Sequence, residues 1–557
     1  MKPLAVLATS LILPICAHAQ IPSPARVDSA AVVQPTEQPT SHSSPGRAQP
    51  LILVTSEALD AKRSNQLVAG VAIGQSLLLR SASSLTPKAA TDRWIGAAIS
   101  PDFLFVTNSA LPFSQNYGAM WAGRGVSTRT LFGYKLEGAR ARIIIAPELI
   151  LSANAEWSLD SRFFTPAVPP GRSEFAMPYY AGAFTIDIPM RYGDNSIRRI
   201  DLGQTTALVA AKSLEFGFAN ENEWWGPGIR NAIVLSNNAP GFPHLFVRTA
   251  RPLNTKLGGI EFRWLVGGLT ESAFFDTVAT NNTRSISAIA ATLQTGWDPN
   301  LSFGIARSVY GTTKSWGPVF TRWFDVFAPV HLDAPDTSQT QRDQLFTLFG
   351  RWVFPEAGVE MYGEWGRTRL ESNLRQFLVA PNHTQGYTVG MQWRSGDSTS
   401  GSVRIQGELT QLEQSATFRD VPLGSWYTSE RVIQGYTNRG EPLGASIGPG
   451  SSSQWLAIDH LASNWRFGGY LGRIRWNQDV HNHYPFPIYV GYCNQDVSVI
   501  PGIRGARAGS FGLFTADLSL QKRLTPFFQN SGGCPNNGDR LDIHNTSLAI
   551  TFIPFRR

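Results

Sequence analysis

The sequence predicts an all-β protein: a large antiparallel transmembrane β-barrel of roughly 16–18 strands, with long extracellular loops and a plugged lumen. Three observations predict it. Segments of about eight to ten residues alternate between apolar and polar side chains, the period of a strand with two unlike faces. Short turns alternate along the chain with long polar stretches. Beyond the first twenty residues no apolar run reaches the roughly 18 residues that a membrane helix needs, although 42% of the 557 residues are hydrophobic.

The N-terminal fifty residues stand apart. Met1-Lys2, the apolar stretch Pro3 to Cys16 and Ala17-His18-Ala19 have the three-part layout of a secretory signal peptide, expected over 1–19. Ile15 before Cys16 argues against a lipid anchor. Residues 20–50 carry six prolines among Ser, Thr, Gln and Ala, and read as a disordered Pro/Ser-rich tether. Residues 51–100 are expected to form a periplasmic or plug segment, with one short helical stretch around Ser56 to Gln66. The barrel is expected over 101–557. Charged residues are 16% of the chain, below the usual soluble fraction of about 25%. Three cysteines exclude a disulfide-dense scaffold. After signal cleavage only Cys493 and Cys534 remain, a candidate disulfide in an oxidising compartment.

The strands are read in chain order. Ile260, Phe262, Trp264 and Val266 alternate with Glu261 and Arg263. Val359, Met361, Gly363 and Trp365 alternate with Glu360, Tyr362 and Glu364. Tyr387 to Arg394, Val403 to Thr410 and Phe514 to Gln521 repeat the pattern. A soluble sandwich also alternates. Two features favour a membrane wall: full charges on the polar faces, such as Arg394, Arg404 and Glu408, and aromatics at strand ends, namely Trp297, Trp352, Trp365, Trp393 and Trp476. Asp298-Pro299-Asn300, Phe354 to Gly358 and Ser395 to Gly401 are short turns, whereas 307–343 and 411–453 are long polar stretches. A compact sandwich rarely carries several loops longer than about 15 residues. Leu548, Ile550 and Phe552 form a last strand near the terminus. It resembles the signal by which the barrel-insertion machinery recognises bacterial barrels, although Arg556 and Arg557 follow it.

The most unusual segment is Glu223-Trp224-Trp225-Gly226-Pro227-Gly228-Ile229-Arg230, continuing to Leu235-Ser236-Asn237-Asn238-Ala239-Pro240. Paired aromatics beside Glu, Arg and Asn suit sugar recognition, because rings stack on sugar faces while amides and charges bond hydroxyls. The same residues also suit packing inside a barrel, and residue types alone favour that reading. Forty of the 48 basic residues are arginine, whose planar fork fits carboxylate and phosphate groups. Catalytic signals are poor. There is no Gly-x-Ser-x-Gly elbow, phosphate loop or zinc-protease motif, and His481 with His483 has no Cys or carboxylate at ligand spacing. No enzyme, cofactor or metal is expected. A net charge of +7 spread along an exported chain does not point to nucleic acid.

The same segment resembles the signature of the capsule assembly Wzi family of outer-membrane proteins. Trp121-Ala122-Gly123-Arg124-Gly125 and Gly435-Tyr436-Thr437-Asn438-Arg439-Gly440 are similar to further pieces of that family. The resemblance spans roughly residues 100 to 555. It implies an outer-membrane lectin that binds capsular or other exopolysaccharide and helps attach or assemble it at the bacterial cell surface. The expected partners are that polysaccharide, outer-membrane lipids and lipopolysaccharide, and the insertion machinery. The candidate contacts are Glu223, Trp224, Trp225, Arg230, Asn237 and Asn238, with Arg439. A general porin or substrate channel is the alternative function.

Overall fold

The structure, a computed structural model, describes residues 48–88, 93–157, 171–176, 185–330, 341–369, 374–395, 401–419, 424–483, 495–528 and 542–555. The signal segment 1–19, most of the tether, and the Cys493–Cys534 pair lie outside the described residues.

Among the described residues, 18 antiparallel strands close a ring. They are β1 (Ile95–Asn108), β2 (Gly125–Glu137), β3 (Ala141–Ile145 with Glu148–Ser152), β4 (Ile197–Asp201 with Thr206–Ala211), β5 (Leu214–Ala219) and β6 (His244–Thr249 with Leu253–Thr255). Next come β7 (Gly258–Thr270), β8 (Thr283–Thr295), β9 (Leu301–Thr312), β10 (Arg342–Phe354), β11 (Val359–Arg367) and β12 (Gln385–Arg394). The ring finishes with β13 (Ser402–Gln411), β14 (Ser452–Leu461), β15 (Trp465–Arg475), β16 (Val497–Gly509), β17 (Gly512–Leu524) and β18 (Ile543–Pro554). Each strand pairs with the next, and β18 pairs with β1 from Phe103–Phe552 to Asn108–Ser547, shutting the seam. An even strand number places both ends of the ring at one rim. The short turns share that turn rim, and the long connections share the opposite loop rim.

The sequence alternation is the in–out alternation of this wall. In β12, Thr388, Gln392 and Arg394 are buried and face inward, while Val389 and Met391 are about half exposed on the outside. Outward Ile305, Leu348, Leu456, Leu471 and Ile503 continue the exposed apolar band around the ring. Such a surface suits lipid, where every backbone group must already be paired, as it is in a closed ring.

Other segments pack on the inward face. Helix α1 (Glu57–Ala69) begins at Ser56, whose side chain accepts the Leu59 N–H at 3.3 Å. Its charges dock on wall arginines and on Glu360. The Arg63 Nε donates to Glu360 Oε1 at 2.9 Å, Arg404 Nη2 to Asp60 Oδ2 at 2.9 Å, and Arg466 to Glu57. Leu79–Ser81 pairs antiparallel with Glu223–Trp225. The main apolar cluster joins the two layers: Trp225, Ile233, Leu235 and Phe242 from the inner layer meet Phe246, Leu265, Leu269 and Leu345 of β6, β7 and β10.

Two expectations change. The stretch 307–343 is not all loop. Strand β9 runs to Thr312, and the 3-10 turns Gly317–Thr321 and Trp323–Phe327 fold back over the outside of the wall. The reason is polar: outward Arg307 and Ser287 need acceptors, and the carbonyls of Val326 (2.8 Å) and Trp323 (2.8 Å) supply them. Trp476 is not in an outer aromatic belt. It follows Tyr470 and Ile474 on the inward register of β15 and faces the lumen side.

Candidate functional site

The Trp-Trp-Gly-Pro-Gly segment folds as a docking element. Its backbone leaves no room for a side chain at two positions, one against the segment itself and one against the wall. A Cβ on Gly228 would stand 1.9 Å from the Asn231 carbonyl oxygen, and Gly226 has φ +116° with the Glu364 carboxylate against it. Three successive amides, Ile229, Arg230 and Asn231, donate to the inward carboxylate of Glu408 at 2.6, 3.0 and 2.9 Å. This is an anion nest already occupied by the wall. Ile233 N–H bonds Glu364 at 3.1 Å, and Arg63 Nη1 donates to the Pro227 carbonyl at 2.6 Å.

The candidate contacts separate accordingly. Trp224 and Trp225 are 0% exposed. Arg80 lies over the Trp224 ring at 4.9 Å, and Trp225 Nε1 donates to Glu223 at 3.0 Å. Glu223 is also paired with Arg263. These three are therefore packing residues of the inner layer, and no ring face is open for a sugar. The physical reason is that Trp, Gly and Pro fill a curved seam as well as they frame a pocket. Asn237 is held by Thr55 Oγ1 at 3.0 Å and the Asn116 carbonyl at 2.8 Å. Arg439 is paired with Asp201. Two of the candidates do reach open space. Asn238 lines a cleft at the loop rim, and Arg230 lines cavities deeper in the lumen, with its guanidinium 5.2 Å from the Trp455 ring centre.

The loop-rim cleft encloses about 1100 Å³ of space open to solvent. Trp121, Trp157, Trp476, Phe527 and Phe528 supply its apolar walls, and Asn238, Glu441, Asn477, Asp496, Gln521 and Arg523 its polar points. Trp157 stacks on Phe527 with centres 5.9 Å apart. Arg523 sits 5.3 Å from the Trp476 ring and donates to Asp496 at 2.6 Å. Trp476 Nε1 is tied to Ser498 Oγ at 2.8 Å. Two buried polar atoms of residues lining this cleft have no partner among the described residues: the donor Trp157 Nε1 and the acceptor Asn477 Oδ1. Such orphans are expensive unless something outside the chain completes them. Burial pushes the Glu441 carboxyl up to about 8, an effect only partly countered by Arg199. Five aromatic walls, one orphan donor and one orphan acceptor are the parts that hold a hydroxyl-rich ring.

Sequence reasoning missed Trp157, Asn477 and Arg523 as site residues, and assigned Trp476 to a belt. Parity carried the signal for two of them. Trp476 continues the inward register of Tyr470 and Ile474, and Arg523 that of Ser519 and Gln521. Among the described residues no cluster of metal-ligating side chains is present.

A family model for capsule assembly protein Wzi matches residues 170–467, more than half of the chain. No curated protein matches it. Among solved structures, similarity is found to the Escherichia coli outer-membrane protein Wzi, described as a carbohydrate-binding β-barrel involved in group 1 capsule assembly. The identity is 13% over 82% of this chain and 85% of that one, with a TM-score of 0.49. Acinetobacter baumannii OccAB2 is similar at 8% identity, covering 84% of this chain and 100% of that chain, with a TM-score of 0.40. A BenF-like porin from Pseudomonas fluorescens Pf-5 is similar at 7% identity, covering 84% and 100%, with a TM-score of 0.36.

Proposed function

The chain belongs to the capsule assembly protein Wzi family, and on that premise we propose that it is a non-enzymatic outer-membrane lectin. It binds capsular or exopolysaccharide at the loop rim and helps attach or assemble it at the bacterial cell surface. The observation that carries this reading is the cleft walled by Trp121, Trp157 and Trp476, whose lining residues Trp157 and Asn477 each hold a buried polar atom with no partner among the described residues. Sugar hydroxyls both donate and accept, which is the chemistry that an unpaired indole N–H and an unpaired amide oxygen call for. The half-exposed apolar band supports a lipid-embedded wall, with lipopolysaccharide as the neighbour at the outer rim and the insertion machinery as the partner that places it there.

Purified protein in detergent, titrated with capsular polysaccharide isolated from the source cells, tests the reading. The double variant Trp121→Ala, Trp157→Ala should lose about tenfold or more in affinity, as removal of central aromatic contacts does. It should keep the heat-resistant fast migration of a folded barrel. Undiminished binding by the double variant would sink the site assignment. Cells lacking the protein should make the polysaccharide but release it into the medium, and equal cell-bound polysaccharide would count against the function.

A further inference from the structure

The lumen is filled unevenly. On the side of β6 to β10 the inner layer interlocks with large apolar wall residues such as Phe246, Leu265 and Leu345. On the opposite side two strands carry short inward residues among longer ones such as Tyr470 and Arg504. Strand β17 contributes Thr515 and Ser519 there, and β18 contributes Ser547, Ala549 and Thr551. Beside these small side chains lies a second cavity, about 1380 Å³ of space that includes its opening to solvent.

This cavity lies directly beneath the loop-rim cleft. Strand β17 shows the stacking, because its inward residues line one space or the other along its whole length. Arg523 and Gln521 border the cleft, and Ser519, Asp517, Thr515 and Leu513 border the lower cavity. Ten residues of strand span about 34 Å, so the two spaces together run from the loop rim nearly to the turn after Gly509. A smaller cavity beside Arg230 and Trp455 shares wall residues with both, Ile447 with the cleft and Tyr470 with the lower cavity. Phe113 is a wall residue of all three spaces. Its loop is fastened: Asn545 Oδ1 accepts the N–H groups of Ala110 (2.8 Å) and Leu111 (3.1 Å), and Asn108 Nδ2 donates to the Phe113 carbonyl at 3.2 Å.

From this geometry we propose that the lumen retains a passage for small hydrated solutes and that the Phe113 ring is its stopper. Below the aromatic cleft the passage carries hydroxyls and paired charges such as Arg129 with Asp102 and Arg466 with Glu57. Such a lining keeps water, whereas an apolar gap would stay dry. The proposal does not depend on polysaccharide binding. Rotation of one ring on a pinned loop separates a sealed wall from an aqueous path.

Single-channel recording in planar bilayers bathed in potassium chloride tests it with the full-length protein. Wild type should give no steady open level. Phe113→Ala should give steady steps, and the added change Thr515→Trp, which fills the lower cavity, should abolish them. All variants are first checked for folded, heat-modifiable migration in gels. If Phe113→Ala does not fold, Phe113→Leu keeps the apolar packing and should give smaller steps of the same kind. A folded Phe113 variant as silent as wild type would overturn the proposal. So would steps that persist with Thr515→Trp, or a wild type that conducts as steadily as Phe113→Ala. Loss of polysaccharide binding without any change in conductance would refute the lectin reading and leave this one standing.

Discussion

At the scale of single residues, one carboxyl links the cleft to pH. Glu441 is buried and its pKa is raised from 4.5 to about 8 by that burial. Unfolded, the group loses its proton near 4.5; folded, it keeps it to about 8. The unfolded state therefore binds fewer protons between these values, and stability falls as pH rises through that window. The stabilisation is complete below about 4.5 and gone above about 8. Glu441→Gln should flatten this part of the curve of unfolding temperature against pH; an unchanged slope would show that Glu441 does not titrate there. The tryptophans give a second contrast. Trp224→Ala empties a fully buried site and should cost about 3–5 kcal/mol in stability, read from denaturant unfolding in detergent. Trp157→Ala, at the cleft, should instead reduce affinity with a far smaller loss of stability. The sequence showed that Trp224 and Trp225 were special, but it could not separate packing from stacking. That difference depends on whether Arg80, which is 144 residues away in the chain, covers the ring, and local composition carries no trace of such a contact.

Among the elements, α1 depends most on the wall. It is short, and isolated helices of fewer than about 12–15 residues are marginal in water. Tertiary contacts must hold it, and beside buried Leu59 and Leu67 these include a set of ion pairs. Arg404 is fully buried and bridges Asp60 of α1 to Asp459 of β14, with Arg504 completing the group around Asp459 at 2.6 Å. Burial raises the Asp60 carboxyl, but the guanidinium groups of Arg404 and Arg466 outweigh it and hold the group well below its ordinary range. Removing one partner of a buried pair leaves the other charge stranded, at about 3–5 kcal/mol. Arg404→Ala should accordingly loosen α1 and expose residues 57–69 to limited proteolysis, while the barrel keeps its heat-modifiable migration. Protection equal to wild type would show that the apolar contacts of Leu59 and Leu67 suffice. The sequence displayed both halves of this device, charged inward positions on β12 and β13 and a helical stretch near Ser56. It did not pair them, because Asp60 and Arg404 meet only when the ring has closed around the helix.

For the whole molecule, the legible feature was period two. Half of each strand faces lipid, so a hydrophobic content of 42% needs no continuous apolar run. Strand number also followed, because it is set by chain length and strand length. Which half of the lumen is filled was not legible, since that depends on where the inner layer docks. Closure itself is the property on which everything else rests, and it is concentrated at one seam. The last strand β18 is bonded on one side to β17 and on the other to β1; Ile550 faces Ala516 and Phe105, and Thr551 faces Thr515 and Leu104. Adjacent residues of a strand direct their N–H groups to opposite neighbours. Proline at 550 and proline at 551 therefore strike different ladders, one of them the seam. In an open sheet β18 would be an edge, and proline facing outward from an edge is tolerated. In a closed ring neither position has a free side, and each proline removes a hydrogen bond that nothing in lipid replaces. Ile550→Pro and Thr551→Pro should both sharply lower the yield of heat-modifiable barrel in detergent refolding, with Ile550→Val as the tolerated control. If the proline variant that removes the N–H bonded to β1 refolds as fully as the control, the seam between β1 and β18 is open, and the ring is a sheet with two edges.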